Sequence, residues 1–222
     1  MKLKEKFVVT INRELGSGGR TVGRKLAEKL GVPFYDKALI KALQDMYHLD
    51  ESEIERLKGR SHSWWAEFKR TLTLGYQYNE AYYRTHSSNE PDILTTDEMF
   101  KNEQEILKAI AKDESCVVAG RSGFFVFRNH PNRLSILIQA SMDFRVNRVC
   151  KKQNKTPEEA RKIIEKVDKM RENYVNKYTK TSRYDTRNYD LVITADGLTE
   201  DEIVDLILRF IGTKKTDSFS YL

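Results

Sequence analysis

Residues Val8 to Asp36, VVTINRELGSGGRTVGRKLAEKLGVPFYD, constrain the fold of this chain more than any other stretch. Phe7, Val8, Val9 and Ile11 form a short apolar, β-branched run, the composition of a strand buried on both faces of a parallel sheet. Gly16, Gly18 and Gly19 follow. Val22, Leu26, Ala27 and Leu30 then recur on one helical stripe, with Arg24, Lys25, Glu28 and Lys29 around the rest of the cylinder. Gly31 and Pro33 stop that helix, and Val32 to Tyr35 read as a second short strand, with Asp36 just beyond its end. The order is strand, glycine-rich turn, helix, strand.

Such a turn lets backbone N–H groups close around an anion, and the helix behind it directs its positive end into the same place. The stretch reads as a phosphate cradle. Against the P-loop pattern G-x-x-x-x-G-K-[ST], Glu14-Leu15-Gly16-Ser17-Gly18-Gly19-Arg20-Thr21 keeps the second glycine and the threonine, with Glu14 for the first glycine and Arg20 for the lysine. The Thr21 hydroxyl stands where a P-loop ligates the Mg²⁺ carried by a nucleotide, and Arg20 is expected to face the phosphates. The alternative is an ordinary turn in which glycine only permits tight geometry, but three glycines in four positions exceed what that needs.

The 222 residues carry 32% charged and 39% hydrophobic side chains with 11 Gly and 4 Pro, the balance of a helix-rich globule able to bury a core. No run approaches the roughly 18 apolar residues of a membrane span. The basic start, MKLKEKFVVT, passes straight into the first strand without the apolar segment of a secretory signal, so a cytoplasmic protein with no membrane partner is expected. Cys116 and Cys150 are the two cysteines and read as structural. A net charge of +6 suits phosphate-bearing ligands or nucleic acid without choosing between them.

Asp36 could orient a substrate, since ligands of open α/β sheets collect outside the carboxyl ends of strands, or cap a helix striped by Leu39, Ile40, Leu43, Met46 and Tyr47. A charged helix over Asp50 to Lys58 follows. Trp64, Phe68, Leu72 and Tyr76 then recur every four residues among Arg60, Lys69, Arg70 and Arg84. That segment could stack on a nucleic-acid strand. Helical spacing of aromatics favours the other reading, an insertion packed on the core or on a second copy of the chain. Thr85 to Asp92 is a loop, and Thr95 with Glu98 caps a helix whose apolar face is Met99, Phe100, Ile106, Leu107 and Ile110.

Ser115 to Ala119 is a buried-type strand that delivers Gly120-Arg121-Ser122-Gly123, where Arg121 could hold a phosphate bidentately. Leu134 to Ile138 repeats the strand pattern, and Ser141 caps a helix with Arg145 and Arg148 on one face, positioned either to close on transferring phosphates or as a solvated surface. Thr156-Pro157 starts a long helix running to about Tyr178. On it Asp168, Arg171 and Tyr174 share a side, able to read a base or sugar or simply to pair within the helix. Asp190 to Thr194 is a last strand. Thr199 and Glu202 cap a closing helix faced by Ile203, Leu206, Ile207 and Phe210, and a mobile tail is expected from Gly212.

Taken in order, RELGSGGRTVGRKLAEKLGVPFYD, VVAGR, FRVNR, DKMRENYVNKY and YDLVIT resemble the cytidylate kinase-like family of P-loop nucleotide kinases. The resemblance implies a three-layer α/β sandwich with a five-stranded parallel sheet, a helical insertion over about residues 50–96 and a lid over about residues 142–185 within one domain. It implies transfer of the ATP γ-phosphoryl group to a nucleoside monophosphate, most simply CMP or dCMP, with Mg²⁺. Gly16, Ser17, Gly18, Gly19, Arg20 and Thr21 would hold the ATP phosphates, Thr21 the metal, and Arg145 and Arg148 would be lid arginines. Asp36, Arg121, Asp168 and Arg171 would hold the acceptor. Nucleic acid is not an implied partner, and a homodimer through the aromatic insertion is compatible with it. The chain departs from cytidylate kinases of the G-x-x-G-x-G-K-[GST], D-S-G and D-G-R-D pattern at Arg20, at Asp36-Lys37-Ala38 and at Ala119-Gly120-Arg121-Ser122. The second expectation is therefore a degenerate P-loop module that binds nucleotide without transferring phosphate.

Overall fold

The computed structural model of the protein describes residues 1–36 and 97–213. The helix of Leu39 to Tyr47, the helix of Asp50 to Lys58, the aromatic segment with its proposed dimer surface, the loop of Thr85 to Asp92, the cap residue Thr95 and the tail after Thr213 lie outside the described residues. The chain divides into two compact units, Met1–Asp36 with Ile110–Leu222, and Lys37–Ala109. The strands described below all belong to the first unit.

Five parallel strands form one sheet in the order β2-β3-β1-β4-β5: β1 (Val8–Arg13), β2 (Phe34–Asp36), β3 (Cys116–Ala119), β4 (Arg133–Gln139) and β5 (Leu191–Thr194). Its centre is the apolar run of β1, with Val9 opposite Val117 on one side and Leu134 on the other. With helices on both faces of the sheet, Val8 to Ile11 of β1 are buried, as their composition demands. The strand runs two residues further than its apolar run, to Arg13 opposite Ile138. β2, conversely, starts at Phe34. The Val32 N–H is taken by Ala27 O at 3.0 Å, closing the C-terminus of α1 (Gly19–Leu30) over left-handed Gly31, so Val32 belongs to the helix end. Asp36 is accordingly the last residue of β2, not a residue beyond it.

On one face Val9, Ile11, Val117, Ile136 and Ile138 pack with Val22 and Leu26 of α1 and with α6 (Glu200–Thr213). The buried stripe of α6 is Ile203, Val204, Ile207 and Ile211; Leu206, expected on it, is 44% exposed. On the other face α3 (Gly123–Val126) packs against β1, with Gly123 closing on the Thr10 side chain. α2 (Asp97–Asp113) precedes β3 and buries Phe100, Ile106, Leu107 and Ile110; its residues from Ile110 onward belong to the first unit. α4 (Met142–Gln153) and α5 (Pro157–Thr179) pack through Val146, Val149, Ala160 and Ile164. Both begin where the sequence marks caps, Ser141 accepting the Phe144 N–H and Thr156 forming a reciprocal box with Glu159.

Cys116 is buried in β3, which pushes its thiol up to about 12, and Cys150 packs beside the α4–α5 cluster; both are free thiols. Among the described residues no helix is long and apolar enough to cross a membrane.

Candidate functional site

The carboxyl ends of β1, β2 and β3 bring Asn12 to Glu14, Asp36 and Gly120 to Ser122 to one edge of the sheet, and the start of α1 and the middle of α5 complete the rim. The glycine turn is built as its sequence requires. Gly16 and Gly18 have φ of 87° and 84°, where a side chain is strained, and Gly18 caps α1 with no side-chain hydrogen bond. The first helical bond runs from Val22 N to Gly18 O at 3.1 Å. The amides of Gly19, Arg20 and Thr21 precede it and so have no carbonyl one turn back. Thr21 stands part-exposed on this turn. Ser17 is turned inward, 1% exposed, its hydroxyl donating to Glu14 O at 3.0 Å, so its side chain closes the loop.

Glu14 and Leu15 anchor the loop from behind. The Glu14 carboxylate accepts the Ala140 N–H at 3.0 Å and lies 3.7 Å from Arg145 Nε, and the Leu15 N–H donates to Asp168 Oδ1 at 3.0 Å. Asp168 is a hub. It also takes Arg145 Nη1 at 2.6 Å, Arg171 Nη1 at 3.4 Å and Arg183 Nη1 at 3.5 Å, all on a residue 8% exposed. Pairing of Asp168 with Arg171 within α5 is thus present, but the pairing across to α4 and the loop is shorter.

From sequence, Arg145 and Arg148 are expected side by side as lid arginines. In the structure they have different surroundings. Arg145 is 7% exposed, tied to Asp168 and packed so closely on Gly16 that a Cβ there would lie 2.9 Å from its own Cβ. Arg148 is nearer solvent, its Nη2 donating to Glu200 Oε1, with its guanidinium 3.4 Å from where a Gly18 Cβ would sit. Burial pushes the Glu200 carboxyl up, but the hydrogen bonds from Arg148 and the backbone outweigh it and leave the pKa below the ordinary value.

Arg20, expected on the phosphates, donates through Nε to Asp36 Oδ2 at 2.7 Å. Asp36, 3% exposed, is therefore engaged by an arginine of α1; its alternative role as a helix cap concerns residues outside those described. Arg121 and Ser122 follow Gly120 with φ of 52°, 51° and 79° respectively, three consecutive left-handed residues at a strand end. Such strain is a mark of functional turns. The Arg121 guanidinium lies 4.9 Å over the Tyr174 ring, and burial lowers its pKa, while burial raises the Tyr174 phenol to about 12.

Arg13 and Arg183 have no signature in the sequence. Arg183 follows the long helix in an irregular stretch, is 1% exposed, and donates through Nη2 to Arg13 O and, at 3.4 Å, to Asn12 Oδ1. Asn12 Nδ2 and the Tyr189 hydroxyl both donate back to Arg183 O, at 3.3 and 2.7 Å. Arg171 Nη1 reaches Arg13 O at 3.4 Å, and burial, then the Arg183 charge, lowers the Arg171 pKa to about 10, with Asp168 opposing. Among the described residues cations thus outnumber carboxylates at this rim, a balance suited to a bound polyanion. Among the described residues no group of three or more His, Cys, Asp or Glu could hold a metal. The Thr21 hydroxyl fits an ion such as Mg²⁺ that keeps most of its ligands from water and nucleotide phosphates.

The fold is similar to that of an uncharacterised protein from Eubacterium ventriosum, at 23% identity and a TM-score of 0.67 over 94% of this chain and 99% of that one. It is also similar to a protein from Thermus thermophilus, at 18% identity and a TM-score of 0.50 over 96% and 100% of the two chains. A shikimate kinase from Bacteroides thetaiotaomicron superposes at 13% identity and a TM-score of 0.48 over 93% and 98%. No curated protein sequence matches. The profile of the cytidylate kinase-like family matches residues 8–196.

Proposed function

The chain belongs to the cytidylate kinase-like family, and on that premise we propose that it transfers the γ-phosphoryl group of ATP to a small phosphorylated acceptor, with CMP or dCMP as the first candidates. The observation that carries this reading is the adjacency of an uncapped, doubly left-handed glycine turn at the start of α1 to a rim of arginines, Arg13, Arg121, Arg171 and Arg183, at the carboxyl ends of the strands. Phosphoryl transfer needs positioning and charge stabilisation rather than a nucleophilic side chain, and this rim supplies both.

In this reaction an oxygen of the acceptor attacks the γ-phosphorus, the bond to the β–γ bridging oxygen breaks, and ADP leaves with that oxygen. The amides of Gly19, Arg20 and Thr21, at the start of α1, would bind the donor phosphates. Asp168 would keep the loop in register by holding Leu15, and Arg148, beside Gly18, would turn from Glu200 to the charge that develops in transfer. Mg²⁺ held at Thr21 with the nucleotide would neutralise the phosphates.

A second reading, nucleotide binding without transfer, is favoured by one observation: Arg20, Arg145 and Arg148 all meet carboxylates. Mg²⁺-dependent ADP formation measured against a panel of nucleoside monophosphates, nucleosides and sugar acids decides between them. Acceptor-dependent ADP supports the kinase. Binding of ATP with no turnover on any acceptor supports the module instead.

A further inference from the structure

Arg13 ends β1, and its side chain occupies space that two glycines leave open. A Cβ on Gly19 would lie 2.6 Å from Arg13 Cβ and 3.2 Å from Cγ, so the stem crosses the first residue of α1. A Cβ on Gly120 would lie 2.0 Å from Nη1 and 3.1 Å from Cζ, so the guanidinium ends on the turn after β3. The side chain thus bridges the phosphate cradle and the strand end carrying Arg121.

Among the described residues, the Arg13 guanidinium makes no hydrogen bond and no ion pair. Its charge is nonetheless costly where it stands. Burial first, then Arg171, then Arg183 and Arg20, lower its pKa to about 9, and Asp36 alone opposes them while already bonded to Arg20. Burial and the neighbouring arginines thus disfavour the cation in the fold, a cost that a bound anion would relieve. A side chain with a purely structural role would be paired. A cation held unpaired among cations is suited to an anion that arrives later.

We infer that Arg13, laid between Gly19 and Gly120, grips the terminal phosphoryl group of a bound nucleoside triphosphate at the point where that group passes from cradle to acceptor. It takes the place that Arg20, bonded to Asp36, leaves unfilled. The inference rests on the phosphoryl-transfer reading of the site, and its test is separable from that reading because it needs no acceptor and no turnover.

The experiment is calorimetric titration of the full chain, wild type, Arg13→Gln and Arg13→Lys, with ATP and with ADP in Mg²⁺. The wild type is expected to bind ATP more tightly than ADP. Arg13→Gln should lose about ten- to a hundredfold in ATP affinity, the worth of one charged hydrogen-bonding group, and about twofold or less for ADP. Arg13→Lys should recover part of the preference. Equal loss for both nucleotides, no loss for either, or a wild type that does not distinguish them overturns the inference. A wild type that binds neither nucleotide removes the phosphoryl-transfer reading beneath it. Thermal unfolding of the ligand-free proteins is the companion measurement: Arg13→Gln should melt at the same temperature or higher, and a lower melting temperature would mark a structural residue and overturn the inference.

Discussion

Asp168→Asn removes one charge from the point where four elements of the site meet. The carboxylate accepts from Arg145 at 2.6 Å, Leu15 N at 3.0 Å and Arg171 at 3.4 Å, and pairs with Arg183 at 3.5 Å. Asparagine keeps an oxygen for Leu15 but turns an N–H towards an arginine. Arg183, 1% exposed, then has no carboxylate among the described residues, and Arg145 keeps only Glu14 at 3.7 Å. Stripping one partner from a buried ion pair costs about 3–5 kcal/mol. For a chain of this size each kcal/mol moves Tm by about 2–4 °C, so a fall of about 6–20 °C is expected in thermal unfolding at neutral pH. Urea unfolding should give the same loss at an unchanged m-value. Because Leu15 is held by the same carboxylate, ATP affinity should fall together with acceptor affinity. The family resemblance implies an acceptor residue at Asp168, for which only the acceptor constant would move. A Tm change under about 3 °C with ATP binding intact would refute the role of Asp168 as a hub.

Three further outcomes rest on local geometry. Arg148→Ala should lower kcat by about tenfold or more while ATP affinity changes little, because the proposed contact to the transferring phosphoryl group forms in the transition state; its part-exposed pair with Glu200 should be worth at most about 1 kcal/mol in denaturant melts. Gly16→Ala puts a side chain at φ 87° and 2.9 Å from Arg145, and should cost about 1–3 kcal/mol and weaken ATP binding in the same titration. Thr156→Ala opens the capping box of α5 and should cost about 0.5–2 kcal/mol by thermal unfolding.

The strands and caps were legible because their determinants are local. Short apolar runs marked each of the five described strands to within two residues, and Ser141, Thr156 and Thr199 announced their helices by side-chain chemistry that acts within one turn. Where local pattern misled, contacts made in the fold were responsible. Val32 reads as strand, but its N–H closes α1, and Leu206 reads as core, but the buried stripe of α6 turns to Val204 and Ile211.

By itself, then, the sequence determined that a glycine turn joins a buried strand to an amphipathic helix, and that arginines follow at later strand ends. Which arginine meets which carboxylate was decided by the tertiary structure. Residues 20 and 36, 145 and 168, or 13 and 120 are not neighbours along the chain, and nothing in their spacing encodes the strand order β2-β3-β1-β4-β5 and the packing of α4 on α5 that bring them together. Ion pairing is short-ranged and satisfied by whatever opposite charge the packing delivers. For that reason Arg20 and Arg145, readable as phosphate ligands, lie on Asp36 and Asp168, while Arg13 and Arg183, unremarkable in the sequence, stand at the rim.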